Sequence, residues 1–132
     1  MNCKALVLVC LLILATSVFA QTTPATKYDS TTETTMKGVV EDVREVPGSC
    51  QGHACVYLTL KTDNGTVEVQ VAPPNFLKEM EFSFAKGDHL EVIGSKVDAN
   101  GAPLVLARTI TRGTDELVVR NDDGRPLRSW FK

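Results

Sequence analysis

Gly87-Asp88-His89-Leu90-Glu91-Val92-Ile93-Gly94-Ser95 is followed by Asp98-Ala99-Asn100-Gly101 and then by Pro103-Leu104-Val105-Leu106-Ala107-Arg108. The first stretch opens on a turn, runs as a strand and ends in a Gly-Ser kink. The loop at 98–101 carries the Asp, Asn and Gly that reversals use. A second strand then returns. Strands over 89–97 and 103–111, joined this way, predict one half of a small closed Greek-key barrel.

The chain before this hairpin fits the same plan. Residues 38–46 are rich in β-branched side chains, but their alternation slips between Val40 and Val43, which predicts a bulge in a long first strand. Pro47-Gly48-Ser49 is expected to end it. Val56, Leu58 and Leu60 alternate with Tyr57, Thr59 and Lys61, so the second strand turns the aliphatic set inward. Asp63-Asn64-Gly65 is a hairpin turn. Val67, Val69 and Val71 then point inward, with Thr66, Glu68 and Gln70 outward. Pro73-Pro74 stops this strand, and Phe76, Leu77 and Met80 fall at helical spacing, with Asn75 as the expected cap. A last short strand is expected around residues 116–120. The order β-β-β-α-β-β plus a short C-terminal strand matches the OB-fold, a five-stranded Greek-key barrel with one short helix. Val69, Phe76, Leu90, Val92 and Leu106 are its expected core.

The ends of the chain carry other information. Lys4, the apolar run from Ala5 to Phe19 and the ending Val18-Phe19-Ala20 predict a signal peptide over residues 1–20. Roughly 15 apolar residues fall short of the about 20 that a membrane span needs. The expected mature chain therefore has no membrane span and is secreted or periplasmic. Residues 21–35 hold seven threonines and no apolar periodicity, which predicts a disordered leader, with the folded domain over 36–132. All 16 acids and 13 of the 14 bases lie beyond residue 20, so the mature chain carries a net charge of −3. That balance opposes nucleic-acid binding, whose affinity comes mainly from neutralising phosphates.

Two cysteines remain after residue 20. Cys50 and Cys55 are an even pair in an oxidising compartment, and a disulfide closing the loop between the first two strands is the principal reading. The alternative is a metal- or redox-active site of Cys50, His53 and Cys55, which would offer three ligands where structural zinc takes four. Arg108, Arg112, Arg120, Arg125 and Arg128 give the C-terminal end a basic character. Arg108 shares the parity of the inward residues Leu104, Leu106 and Ile110. It is expected either to be turned out by a bulge or to hold a carboxylate partner, since an isolated buried charge is costly. Tyr57, Lys61 and Gln70, on the outer face of strands two and three, join Arg108 and Arg120 as candidate ligand- or partner-binding residues. No nucleophile–base set, phosphate loop or paired acid and base has a recognisable context. The expectation is a binding module, not an enzyme, with no cofactor and an envelope protein or small ligand as its partner.

Gly38-Val39-Val40, Val71-Ala72-Pro73 with Phe76-Leu77, Gly87-Asp88 through Gly94-Ser95, Leu106-Ala107-Arg108, and Val118-Val119-Arg120-Asn121 with Gly124-Arg125-Pro126 carry a resemblance. With these residues the chain resembles small exported bacterial OB-fold domains, and among them the domain of the magnetosome MamS/MamX family. The resemblance implies a place in a metal-handling or redox assembly. It implies no haem here, because the Cys-x-x-Cys-His motif of some relatives is missing.

Overall fold

The computed structural model describes residues 27–131. The expected signal peptide over 1–20 and the first part of the expected leader lie outside the described residues. Among the described residues there are six strands: β1 (Glu33–Cys50), β2 (His53–Thr62), β3 (Gly65–Gln70), β4 (His89–Ala99), β5 (Ala102–Arg112) and β6 (Asp115–Val118). One helix, α1 (Pro74–Glu79), separates β3 from β4. The sheet runs β3-β2-β1-β4-β5-β6, and a parallel contact of β3 with β5, Val69 opposite Val105 and Gln70 opposite Leu106, closes it into a five-stranded barrel. This is the OB-type architecture that the strand order predicted.

β1 makes closure possible because it pairs along two edges. Residues 33–39 lie against β4 and residues 38–50 against β2. Gly38 sits where the two pairings overlap, and a Cβ there would stand 2.5 Å from the Lys61 carbonyl oxygen. Only glycine permits that approach. The register shifts between Val40 and Asp42, where the broken alternation predicted a bulge. The inward aliphatic residues form one core. Leu58, Leu60, Val69, Val92, Leu106 and Phe76 are fully buried and Leu90 nearly so. Phe76 and Leu77 of α1 plug the barrel end, and burying a side chain such as Phe76 contributes about 2–3 kcal/mol.

The structure corrects four local expectations. Pro47-Gly48-Ser49 does not end β1. It forms an irregular segment after which Cys50 pairs with His53, beside the Cys50–Cys55 bond. Asn75 does not cap α1. Pro73 is the cap and Pro74 the first helical residue, a position whose missing N–H is no loss. Gly94-Ser95 does not end β4 but shifts its register against β5 within the strand. The fold also begins before Met36. Asp29 N–H donates to Ser95 Oγ at 3.0 Å, Ser30–Thr32 form a 3₁₀ turn, and Glu33–Thr35 already pair with β4. Threonines suit an edge strand as well as a leader.

Candidate functional site

Three strands converge on one end of the barrel, and the polar residues that they bring together begin at the cystine. Cys50 and Cys55 are bonded to each other, with their Cα atoms 5.2 Å apart, and both are buried. The tight reversal at Gln51 and Gly52 uses left-handed backbone at both residues. The bond holds the hairpin rigid beside β3. The Ser49 carbonyl there accepts from Gln70 Nε2 at 3.0 Å, and the same nitrogen donates to the Tyr57 hydroxyl at 3.0 Å. Gln70 and Tyr57 face each other across the β2–β3 ladder.

Arg120 approaches Gln70 from the other side. It follows β6, where its N–H reaches the Arg108 carbonyl and its backbone bridges to Pro126. The chain then reverses through Asn121–Arg125, closed by Asn121 N–H to the Arg125 carbonyl at 2.8 Å. The guanidinium is buried, 6% exposed. It donates to the Gly124 carbonyl at 3.0 Å and to Gln70 Oε1 at 3.1 Å. It also lies over the Trp130 ring, 4.9 Å from its centroid, and 5.9 Å from that of Tyr28. Among the described residues it has no carboxylate partner. Burial lowers its pKa to about 10, with the Tyr28 phenol opposing the shift. Gly124 allows this packing. Its φ is +86°, and any Cβ there would overlap the Tyr28 ring.

A cavity of about 760 Å³ opens at this point, with Tyr28, Tyr57, Gln70, Leu104, Arg120 and Trp130 on its walls. Lys27 and Arg125 stand at it, and Asp123 is engaged by Arg125 through the backbone N–H at 3.0 Å and the side chain at 3.4 Å. The site is therefore an aromatic and aliphatic hollow around one buried cation, the usual composition of a small-ligand or anchor pocket.

Of the residues singled out in the sequence, Tyr57, Gln70 and Arg120 meet here. Gln70 is not the outward, exposed side chain that strand parity predicts, and Arg120 is buried beside it. The cystine hairpin and the C-terminal tail cover the face of β3 that strand parity turned outward. Lys61 stands apart, exposed at the other end of β2, where it lines a smaller hollow of about 400 Å³ with Lys37 and His89. Arg108 is also elsewhere. Both readings of it hold together: Ile93 pairs with Thr109 and Gly94 with Ala107, so Arg108 is the extra residue of a bulge. Its Nε meets Glu33 Oε1 at 2.6 Å, with Asp122 at 3.4 Å. The metal alternative loses its thiolates to the disulfide, and His53 packs on Phe131 with ring centroids 5.6 Å apart. Tyr28, Ser49 and Trp130 had escaped notice as site residues. A lone tyrosine in a threonine-rich stretch and a lone tryptophan in a polar tail were the available signals.

Among the described residues no helix is long and apolar enough to cross a membrane. The model of the MamS/MamX magnetosome protein family matches residues 32–117. No curated protein matches the chain. Among solved structures, the second OB-fold domain of replication protein A from Methanococcus maripaludis is similar at 20% identity and a TM-score of 0.44, over 63% of this chain and 85% of that one. A ZRD-deleted mutant of TiaS in complex with agmatine is similar at 17% identity and a TM-score of 0.48, over 72% of this chain and 32% of that one. Apo TiaS, the tRNAIle2 agmatidine synthetase, is similar at 18% identity and a TM-score of 0.47, over 79% of this chain and 25% of that one.

Proposed function

The chain belongs to the MamS/MamX magnetosome protein family, and from that premise we propose that it is an exported, non-catalytic binding module whose cavity receives part of an envelope protein. The observation that carries this reading is the convergence of Tyr57, Gln70 and Arg120, from three separate segments, on one hollow. A guanidinium, a primary amide, a phenol and an indole orient and recognise a ligand, and the Arg120–Gln70–Tyr57 hydrogen bonds with the Arg120–Trp130 stack fix their positions before it arrives. Preorganisation of that kind favours binding by reducing what must be ordered on association. Export is supported by the apolar run before Ala20 and by the Cys50–Cys55 bond, which suits an oxidising compartment. The family's description as magnetosome proteins supports a partner within a metal-handling or redox assembly of the envelope. A net negative chain gives no support to nucleic acid as the partner.

A photoreactive phenylalanine analogue placed at Tyr57 in the exported protein tests this. It should form a covalent adduct with one envelope protein, and the same analogue at Lys61, on the separate hollow, should not. Adducts from position 61 and none from position 57 would reject the assignment.

A further inference from the structure

Buried donors in folded proteins nearly always find acceptors, so donors left over in one place carry information. Arg120 Nε and Trp130 Nε1 are buried without a partner among the described residues. Both side chains line the same cavity, stacked on each other. Tyr57 adds a third donor. Its oxygen already accepts from Gln70, which leaves its own proton to donate.

Several acceptors of the hollow are already engaged. Gln70 Oε1 and the Gly124 carbonyl serve Arg120, the Ser49 carbonyl serves Gln70, and the Asp123 carboxylate serves Arg125. Two buried donors at the hollow thus stand without partners beside a cation that, among the described residues, has no carboxylate in contact. A buried charge in that state is expensive to keep.

We propose that the cavity is a carboxylate site, taking an organic carboxylate that supplies the counter-charge of Arg120 and accepts from the Tyr57 hydroxyl. A planar carboxylate matches the fork of a guanidinium, and one buried cation balances its single charge. The volume exceeds what a lone inorganic ion fills, and Leu104, Tyr28 and Trp130 offer apolar surface to the carbon chain attached to the carboxylate. The carboxylate comes either from an acidic segment of the partner protein or from a free organic acid. The inference deepens the binding reading above and rests on it for the first of these sources.

Trp130 is the only tryptophan of the chain, so its indole N–H resonance and its fluorescence report on the cavity alone. The exported protein, labelled with ¹⁵N, is titrated with phenylacetate, with a capped glutamate-containing peptide, with the glutamine counterpart of that peptide, and with inorganic phosphate. One or both carboxylate probes should move the Trp130 indole and Arg120 Nε–H signals saturably, and the glutamine peptide and phosphate should not. Binding by the peptide alone assigns the partner segment as the source, and binding by phenylacetate alone assigns a free acid. Arg120→Met should weaken binding at least about tenfold while keeping a folded spectrum. Should that variant fail to fold, Tyr57→Phe serves in its place, with an expected loss of about three- to tenfold. Three results would overturn the site: no shift with either carboxylate, equal binding of phosphate, or undiminished binding in the variant used. Cross-linking from position 57 that persists without carboxylate binding would sink this inference alone. Carboxylate binding without any envelope adduct would sink the protein-partner reading alone.

Discussion

Arg120→Met keeps an unbranched side chain of similar reach against Trp130 and removes the guanidinium, so it measures what the buried charge costs the free protein. Burial lowers the Arg120 pKa to about 10, which corresponds to about 3 kcal/mol against the charged form. The sign follows from linkage. Unfolded arginine holds its proton to higher pH than the folded residue does, so the penalty is fully present below pH 10 and is relieved only above it. At pH 7 the variant escapes all of it. Against this stand two hydrogen bonds, to Gly124 and Gln70, whose acceptors are left unpaired at about 1 kcal/mol each. The stack on Trp130 is largely replaced by a sulfur–aromatic contact. The net expectation is a change between zero and about +1 kcal/mol, which raises Tm by at most about 4–8 °C. Urea and thermal unfolding at pH 7, with the disulfide intact, measure it. A loss of more than about 2 kcal/mol would show that the guanidinium is a brace for the C-terminal tail. It would also remove the reason to regard it as kept for a ligand.

Leu106→Ala, at a fully buried position on the closing seam, should cost about 3 kcal/mol in urea unfolding. Replacing Cys50 and Cys55 together by alanine should lower stability by about 2 kcal/mol, since the loop that the bond closes is short. Gly124→Ala should displace Tyr28 from Arg120, because the added Cβ overlaps the ring and the backbone is left-handed there. The Tyr28 ring resonances should move toward random-coil values while the β-sheet amides stay in place. Hydrogen bonds from Arg108 and Tyr28 hold the Glu33 carboxyl below its usual range. Its contribution is therefore present above the ordinary glutamate pKa and lost as the pH falls through the lowered value. Protection of the amides at residues 29–33 against hydrogen exchange, taken relative to the intrinsic rate at each pH, should fall under those acidic conditions in the wild type and already at neutral pH in Glu33→Gln.

The barrel was legible because its signals are local and periodic. The alternation of Val56, Leu58 and Leu60, the Asp63-Asn64 reversal and the slip after Val40 each fixed a piece of backbone before any tertiary contact was known. The same parity identified Arg108 as a residue out of place, and the bulge with its Glu33 partner is the answer that parity demanded. The site was half legible for a physical reason. Alternation tells which side of a sheet a residue faces but not whether another segment later covers that side. Parity puts Gln70 on the outer face, and residues 119–131, Arg120 among them, fold back over it in a non-periodic path that only the assembled molecule defines. Tyr28 was hidden by its neighbours, whose composition resembles that of a leader. Hydrogen bonds to Ser95 and Asp29 tie them to the barrel ahead of the pairing of Glu33–Thr35 with β4.

Tyr28 and Trp130 flank the same guanidinium, so the two ends of the described chain lie side by side at the mouth of the cavity. Connectivity at that point is then a matter of convenience for the fold. A short flexible linker joining the ends, with new termini cut at the exposed Asp63-Asn64 turn, should give a circular permutant with the barrel and its hollow intact. The same proximity sets a practical rule for handling the protein. A tag fused directly at residue 27 or 131 is tethered within reach of the hollow at high local concentration, whereas a label carried at the 63–64 turn leaves the mouth clear.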